Sequence, residues 1–151
     1  MEIDLSRKHA LRTWVPIVLI TMSGAAGLAW AQTETPGPVV EPLLETGQDI
    51  LGRPTVYPTG TPQVTSAILT VAPGGIVPLH KHPVPLYVHM LEGSITIDYG
   101  EKGTRTYVAG DTFLEAVEWP HQGKNTGDVP VRILTVYIGV EGMKGSEVIG
   151  N

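Results

Sequence analysis

Four of the chain's five histidines, His80, His82, His89 and His121, fall between positions 80 and 121. Neutral imidazole is a common ligand of divalent transition metals, so such a cluster raises the question of a shared ion. His80 and His82 stand two apart in an apolar stretch, and on a strand that spacing points both rings to the same face. Metals that prefer nitrogen and oxygen usually take at least three protein ligands. His121, which follows Pro120 on a separate β segment, is the candidate for the third. The plainer reading of the same residues is a set of exposed or hydrogen-bonded histidines with no ion. The chain has no cysteine, which excludes disulfides, thiolate nucleophiles and sulfur-based metal sites.

The elements that must hold these side chains are short. A chain of 151 residues has room for about one domain, and 18 Gly and 13 Pro punctuate it into many turns. The pattern predicts strands near 64–72, 76–82, 86–91, 94–99, 104–108, 112–116 and 131–140. Between them lie turn signals at Pro73-Gly74-Gly75, Gly93, Ala109-Gly110-Asp111 and Asn125-Thr126-Gly127-Asp128. Strict alternation in Ser94-Ile95-Thr96-Ile97-Asp98-Tyr99 gives that strand one buried and one wet face. An all-β sandwich or barrel follows, and with no tandem repeat a single one. Glu115 shares a strand face with Phe113, so an inward Phe113 brings Glu115 in as well. A carboxylate there needs a metal, a proton or a cation to offset its desolvation. On the outer face it is a solvated charge.

Arg7, Lys8 and Arg12 precede an uncharged stretch from Trp14 that ends at Ala29-Trp30-Ala31. This reads as a signal peptide over 1–31, cleaved before Gln32, and places the mature chain in the periplasm or outside the cell. A membrane association is expected only if the segment is uncleaved, since its apolar run lies at the lower edge of a span. Residues 32–62, rich in Pro, Thr and Glu, read as an extended lead-in, and 63–151 as the β domain. With ten Lys plus Arg against fifteen Asp plus Glu and no basic run, nucleic acid is not an expected partner.

These spacings resemble the cupin superfamily, in particular its small single-domain, quercetin-dioxygenase-like members. The first family motif is G(x)5HxH(x)3–4E(x)6G, and this chain has Gly74, His80-Lys81-His82, Leu86 and Gly93 at those positions. The second is G(x)5PxG(x)2H(x)3N, matched by Gly110, His121 and Asn125, with Ala116-Val117-Glu118 standing where the family has PxG. The resemblance covers roughly 64–139 and implies a single antiparallel jelly-roll β-barrel. It also implies a divalent transition metal (Fe, Mn, Ni or Zn) on His80, His82 and His121. Leu86 replaces the glutamate that the family usually adds as a ligand. The site is then either a three-histidine set or one in which Glu115 is recruited as a fourth ligand. His89, at an odd offset from Leu86, falls on the opposite strand face and reads as a hydrogen-bonded structural residue, or as the substitute ligand where a bulge turns it inward. Tyr87 and Trp119 stand either at the mouth of the site or in packing.

Two functional readings follow from the resemblance. One is a metal-dependent enzyme, dioxygenase-like, acting on a small oxygen-bearing or aromatic molecule. The other is a cupin that holds a metal or a small ligand without turnover. A barrel that keeps its histidines for structure alone is a third. A small-molecule ligand or substrate is the expected partner, and a homodimer is compatible with the sequence.

Overall fold

The computed structural model describes residues 37–150. The expected signal peptide therefore lies outside the described residues, and no helix among those described is long and apolar enough to cross a membrane. Among the described residues nine strands follow in chain order: β1 Pro62–Val71, β2 Ile76–Lys81, β3 Leu86–Glu92, β4 Ser94–Asp98, β5 Thr104–Val108, β6 Thr112–Leu114, β7 His121–Lys124, β8 Val131–Val140 and β9 Glu147–Val148. A single turn of 3₁₀ helix at Gly100–Lys102 joins β4 to β5. The strands form two antiparallel sheets, one ordered β1-β8-β3-β6 and the other β5-β4-β7-β2-β9. This arrangement is consistent with a jelly roll. The strand pairing does not join the two sheets into one continuous hydrogen-bonded barrel, so the expected closed barrel is here a pair of sheets over a common core.

Alternation builds that core. Along β4, Ile95 and Ile97 are buried while Ser94, Thr96 and Asp98 are not, as period-two geometry requires. From the other sheet, Leu86, Val88 and Met90 of β3 and Ile133 of β8 point inward and pack in the same cluster. Tyr107 and Phe113 stack within it at a centroid distance of 4.0 Å. Each such side chain stabilises the fold by about 1.5–3 kcal/mol through removal of apolar surface from water. The tight step from β3 to β4 needs Gly93. Its φ is 73°, and a Cβ there would lie 2.8 Å from the Pro130 carbonyl oxygen.

Two features bear on the site. The register of β2 against β7 shifts between Val77 and His80, which sets His80 directly opposite His121. The lead-in is also more than an extended arm. Gln48 bridges Pro54, and the amide of Ile50 donates to the Leu114 carbonyl across 2.8 Å, fastening this segment to the end of β6. Its Pro/Thr-rich composition gave no periodic signal for that contact, because a single turn held by side-chain hydrogen bonds has no period.

Candidate metal centre

The three histidines come from two chain segments that pairing brings together. His80 lies on β2, His82 just past its end in a bridge to Val117, and His121 opens β7. Their ring centroids are 4.8 Å (His80–His82), 4.4 Å (His80–His121) and 5.1 Å (His82–His121) apart. One nitrogen from each lies within 4.8 Å of the others, so together they form a group that could hold an ion. That span is slightly over twice a metal–nitrogen bond of about 2.1 Å, a gap that small ring rotations close.

The backbone sets the tautomers. Nδ1 of His80 faces the Pro78 carbonyl at 2.7 Å, Nδ1 of His82 the Gly145 carbonyl at 2.8 Å, and Nδ1 of His121 the Trp119 carbonyl at 2.8 Å. A carbonyl oxygen only accepts, so each Nδ1 carries the proton and donates, leaving each Nε2 with a free lone pair. Burial also holds all three imidazoles below their ordinary pKa, His82 down to about 3. Neutral rings with oriented Nε2 lone pairs are the donor state that a divalent metal requires, so the residues present fit one. Gly145 is tied to this arrangement by sterics as well, since a Cβ there would lie 2.7 Å from the Tyr137 ring, which in turn stands 5.8 Å from His82.

Glu115 is buried beside the histidines, on the inner side with Phe113. Its Oε1 accepts from the Tyr99 hydroxyl at 2.9 Å and from the Ala116 amide at 2.7 Å. Its Oε2 lies 3.8 Å from Nε2 of His121. Burial lifts its pKa to about 7 against the opposing pull of these hydrogen bonds, while burial lowers that of His121. The two shifts act in the sense that leaves both groups neutral, so we read the contact as a polar one between neutral partners and not as an ion pair. Tyr99 is itself raised, by burial first and by Glu115 second.

Leu86 lines the same small cavity of about 60 Å³ as His80, His82, Glu115 and His121, so position 86 does face the site. His89 does not. It sits on the other face of β3 with Nδ1 against the Thr112 hydroxyl at 2.7 Å. Tyr87 is half-buried on that same face, and Trp119 packs on the core with its Nε1 donating to the Tyr99 carbonyl at 2.9 Å. Two contributors escaped the sequence reading. Tyr99 was signalled, because it continues the buried series Ile95, Ile97. Tyr137 was not, since nothing in β8 distinguishes it from its neighbours.

Residues 67–137 match the sequence profile of the cupin domain. That match covers a little under half of the chain. Germin-like protein 5-1 of Oryza sativa subsp. japonica is 30% identical over 79 residues, which are 49% of this chain and 36% of that protein. The chain thus spans about a third of the length of the curated relative it matches. The oxalate decarboxylase of Lactobacillus farciminis, solved as a formate complex, superposes with a TM-score of 0.50 at 23% identity, over 57% of this chain and 26% of that one. The polyketide cyclase RemF of Streptomyces resistomycificus gives a TM-score of 0.49 at 20% identity, over 58% of this chain and 63% of that one. In this chain the loop before His121 departs from the cupin motif, and Glu118 adopts a positive φ of 53° there.

Proposed function

We propose that this cupin binds a divalent transition metal, Fe, Mn, Ni or Zn, on Nε2 of His80, His82 and His121, and uses it in a dioxygenase-like reaction on a small oxygen-bearing molecule. The observation that carries the reading is the alignment of three Nδ1 donors with three carbonyl oxygens, which leaves a neutral Nε2 lone pair on each of three histidines grouped closely enough to share an ion. Bound there, the metal would supply Lewis acidity and open coordination positions. The chain's own residues supply the rest. Glu115, with a pKa lifted to about 7, holds or releases a proton at Oε2 near neutral pH, the range in which a general acid or base works best. Tyr99 fixes the orientation of that carboxyl through Oε1. Leu86, Ile133 and Ile97 line the cavity beside the histidines with apolar side chains.

Size favours a small reacting group. The cavity at the histidines, about 60 Å³, admits a few heavy atoms, whereas a cleft of about 240 Å³ next to it shares Tyr137 as a wall. We place the reacting oxygen atoms of a substrate at the histidines and its remainder in that cleft, with Tyr137 between. The sequence of the first 31 residues supports export, with a mature chain that begins near Gln32 in an extracytoplasmic space.

Metal analysis of the purified full chain, paired with Glu115→Gln, tests the reading. The parent chain is expected to hold about one equivalent of metal. If Glu115 moves protons, Glu115→Gln keeps the metal and loses turnover; if it is a fourth ligand, metal affinity falls as well. A parent chain that takes up no divalent metal overturns the proposal, and one that binds metal but turns over no small oxygenated substrate leaves the binding cupin in its place.

A further inference from the structure

We propose that the 49–53 turn of the lead-in is a positioning clamp for the metal site, in which Arg53 holds the 116–120 loop in the strained form that seats His121. The proposal rests on the three-histidine reading for its metal readout and on the loop's geometry for everything else.

The turn is built around one buried carboxylate. Oδ1 of Asp49 accepts from the amides of Leu51 and Arg53, at 2.9 and 3.0 Å. Oδ2 accepts from Nε and Nη2 of Arg53, at 2.9 and 2.7 Å. This fork fixes the guanidinium in one orientation. The same Nη2 then reaches across the fold to the Val117 carbonyl at 2.5 Å. The guanidinium also stands 5.5 Å from the centre of the Trp119 ring. Arg105 donates to the Ile50 carbonyl, holding the turn from its other side.

What Arg53 grips is the segment that sets His121. Val117 pairs with His82, the Glu118 amide donates to the His82 carbonyl at 2.7 Å, and the Trp119 carbonyl accepts from Nδ1 of His121 at 2.8 Å. Between these anchors Glu118 has φ 53°, the left-handed region that residues with a Cβ rarely occupy. A conformation of that kind persists only when its surroundings hold it. Here they do so from two sides, through Arg53 on Val117 and Trp119, and through Lys81 on the Glu118 carboxylate at 2.5 Å. Release of Arg53 removes one hold on Val117 and one on Trp119, leaving the bridge to His82 and the bond to Tyr99, so the carbonyl that orients His121 is expected to shift.

The test combines Arg53→Met, which keeps an unbranched apolar stem but removes the fork, with Glu118→Gly, which relieves the positive φ. Co(II) binding to the full chain is followed by its ligand-field spectrum. Arg53→Met is expected to weaken affinity on the order of tenfold to hundredfold, as loss of an outer support does, and to shift the spectrum. Arg53→Lys, a point charge without the fork, should not restore it. In the Glu118→Gly background the same Arg53→Met change should cost little, because the loop no longer needs holding. Equal losses in both backgrounds would overturn the clamp. If the parent chain binds no Co(II), the proposed function fails, and the clamp is judged on the metal-free chain by the imidazole nitrogen signals of His121. A single Nδ1-protonated tautomer that Arg53→Met disperses supports it; a tautomer that Arg53→Met leaves unchanged refutes it.

Discussion

Two polar clusters lie side by side inside this fold, and burial treats them in opposite ways. His80, His82 and His121 are bases, and desolvation pushes their pKa values down, so they lose their protons. Glu115, Tyr99 and Tyr107 are acids, and the same desolvation pushes theirs up, so they keep them. One physical cause therefore yields lone pairs on one side and protons on the other, with no net charge on either. The pairing teaches what the site lacks. A site that sets neutral nitrogen bases beside a carboxyl with a pKa of about 7 can take up a cation on its nitrogen side, and that acid, 3.8 Å from His121, can answer by giving up its proton.

The largest break in this comparison comes from the nitrogen side. His82→Ala removes one of three donors together with its hydrogen bond to Gly145, and is expected to lower metal affinity by at least a hundredfold, measured by titration with Zn(II) against a chelator. The metal-free chain should stay folded, because the truncated ring leaves a partly polar space bordered by Tyr137 and not a hole in the main core. A variant that binds Zn(II) as tightly as the parent would remove His82 from the site.

How much of this was legible beforehand differs between the clusters for a physical reason. The histidines were readable because strand geometry converts a spacing of two into a shared face, and because His121 matched the second motif. The seven expected strands came out close to their observed bounds, whereas the short β7 and β9 had no range in the sequence pattern. The acid cluster was only half readable. Phe113 and Glu115 share a parity, which put both inside or both outside, but the partner of Glu115 is Tyr99, just past the end of β4, and contacts between sheets leave no trace in local pattern. The 49–53 turn was unreadable, because what makes it fold is one aspartate that collects four hydrogen bonds. The closed barrel that the family pattern implies also outran what strand pairing delivers, two sheets in one core.

A sharper comparison comes from pH, since the two clusters tilt stability in opposite directions. Glu115 titrates at about 7 in the fold against 4.5 in the unfolded chain, so the folded state holds the extra proton in that window. Stability therefore falls as pH rises from 4.5 to 7, by up to about 1.4 kcal/mol per unit. His82 titrates at about 3 in the fold against 6.5 unfolded, so there the unfolded state holds the extra proton, and stability falls as pH drops below 6.5. Between 4.5 and 6.5 the two slopes oppose each other. Glu115→Gln removes only the first, and the metal-free variant should gain about 1–3 kcal/mol at pH 8 relative to the parent. Chemical denaturation across pH 4 to 8 measures this. An unchanged profile would mean that Glu115 is already ionised in the fold, and that the symmetry of the two clusters does not hold.

The smallest effect is expected at the fourth histidine, which serves as the internal control for the other three. His89 shares the strand that carries Leu86, and a one-residue difference in parity sends it to the opposite face, where its ring meets Thr112 and no carbonyl directs a lone pair inward. Nothing there can transmit to the metal side except through β3 itself, which hydrogen bonds to β6 and β8 hold on both edges. His89→Gln keeps a hydrogen-bonding group for Thr112, so the cost to stability should stay near 1 kcal/mol or below. Zn(II) affinity and stoichiometry should match those of the parent. A loss of affinity comparable with that of His82→Ala would require β3 to slip by one residue, which would turn Leu86, Val88 and Met90 outward and expose the core. Melting temperature separates the two cases, because a slipped strand cannot bind metal poorly and still melt where the parent does.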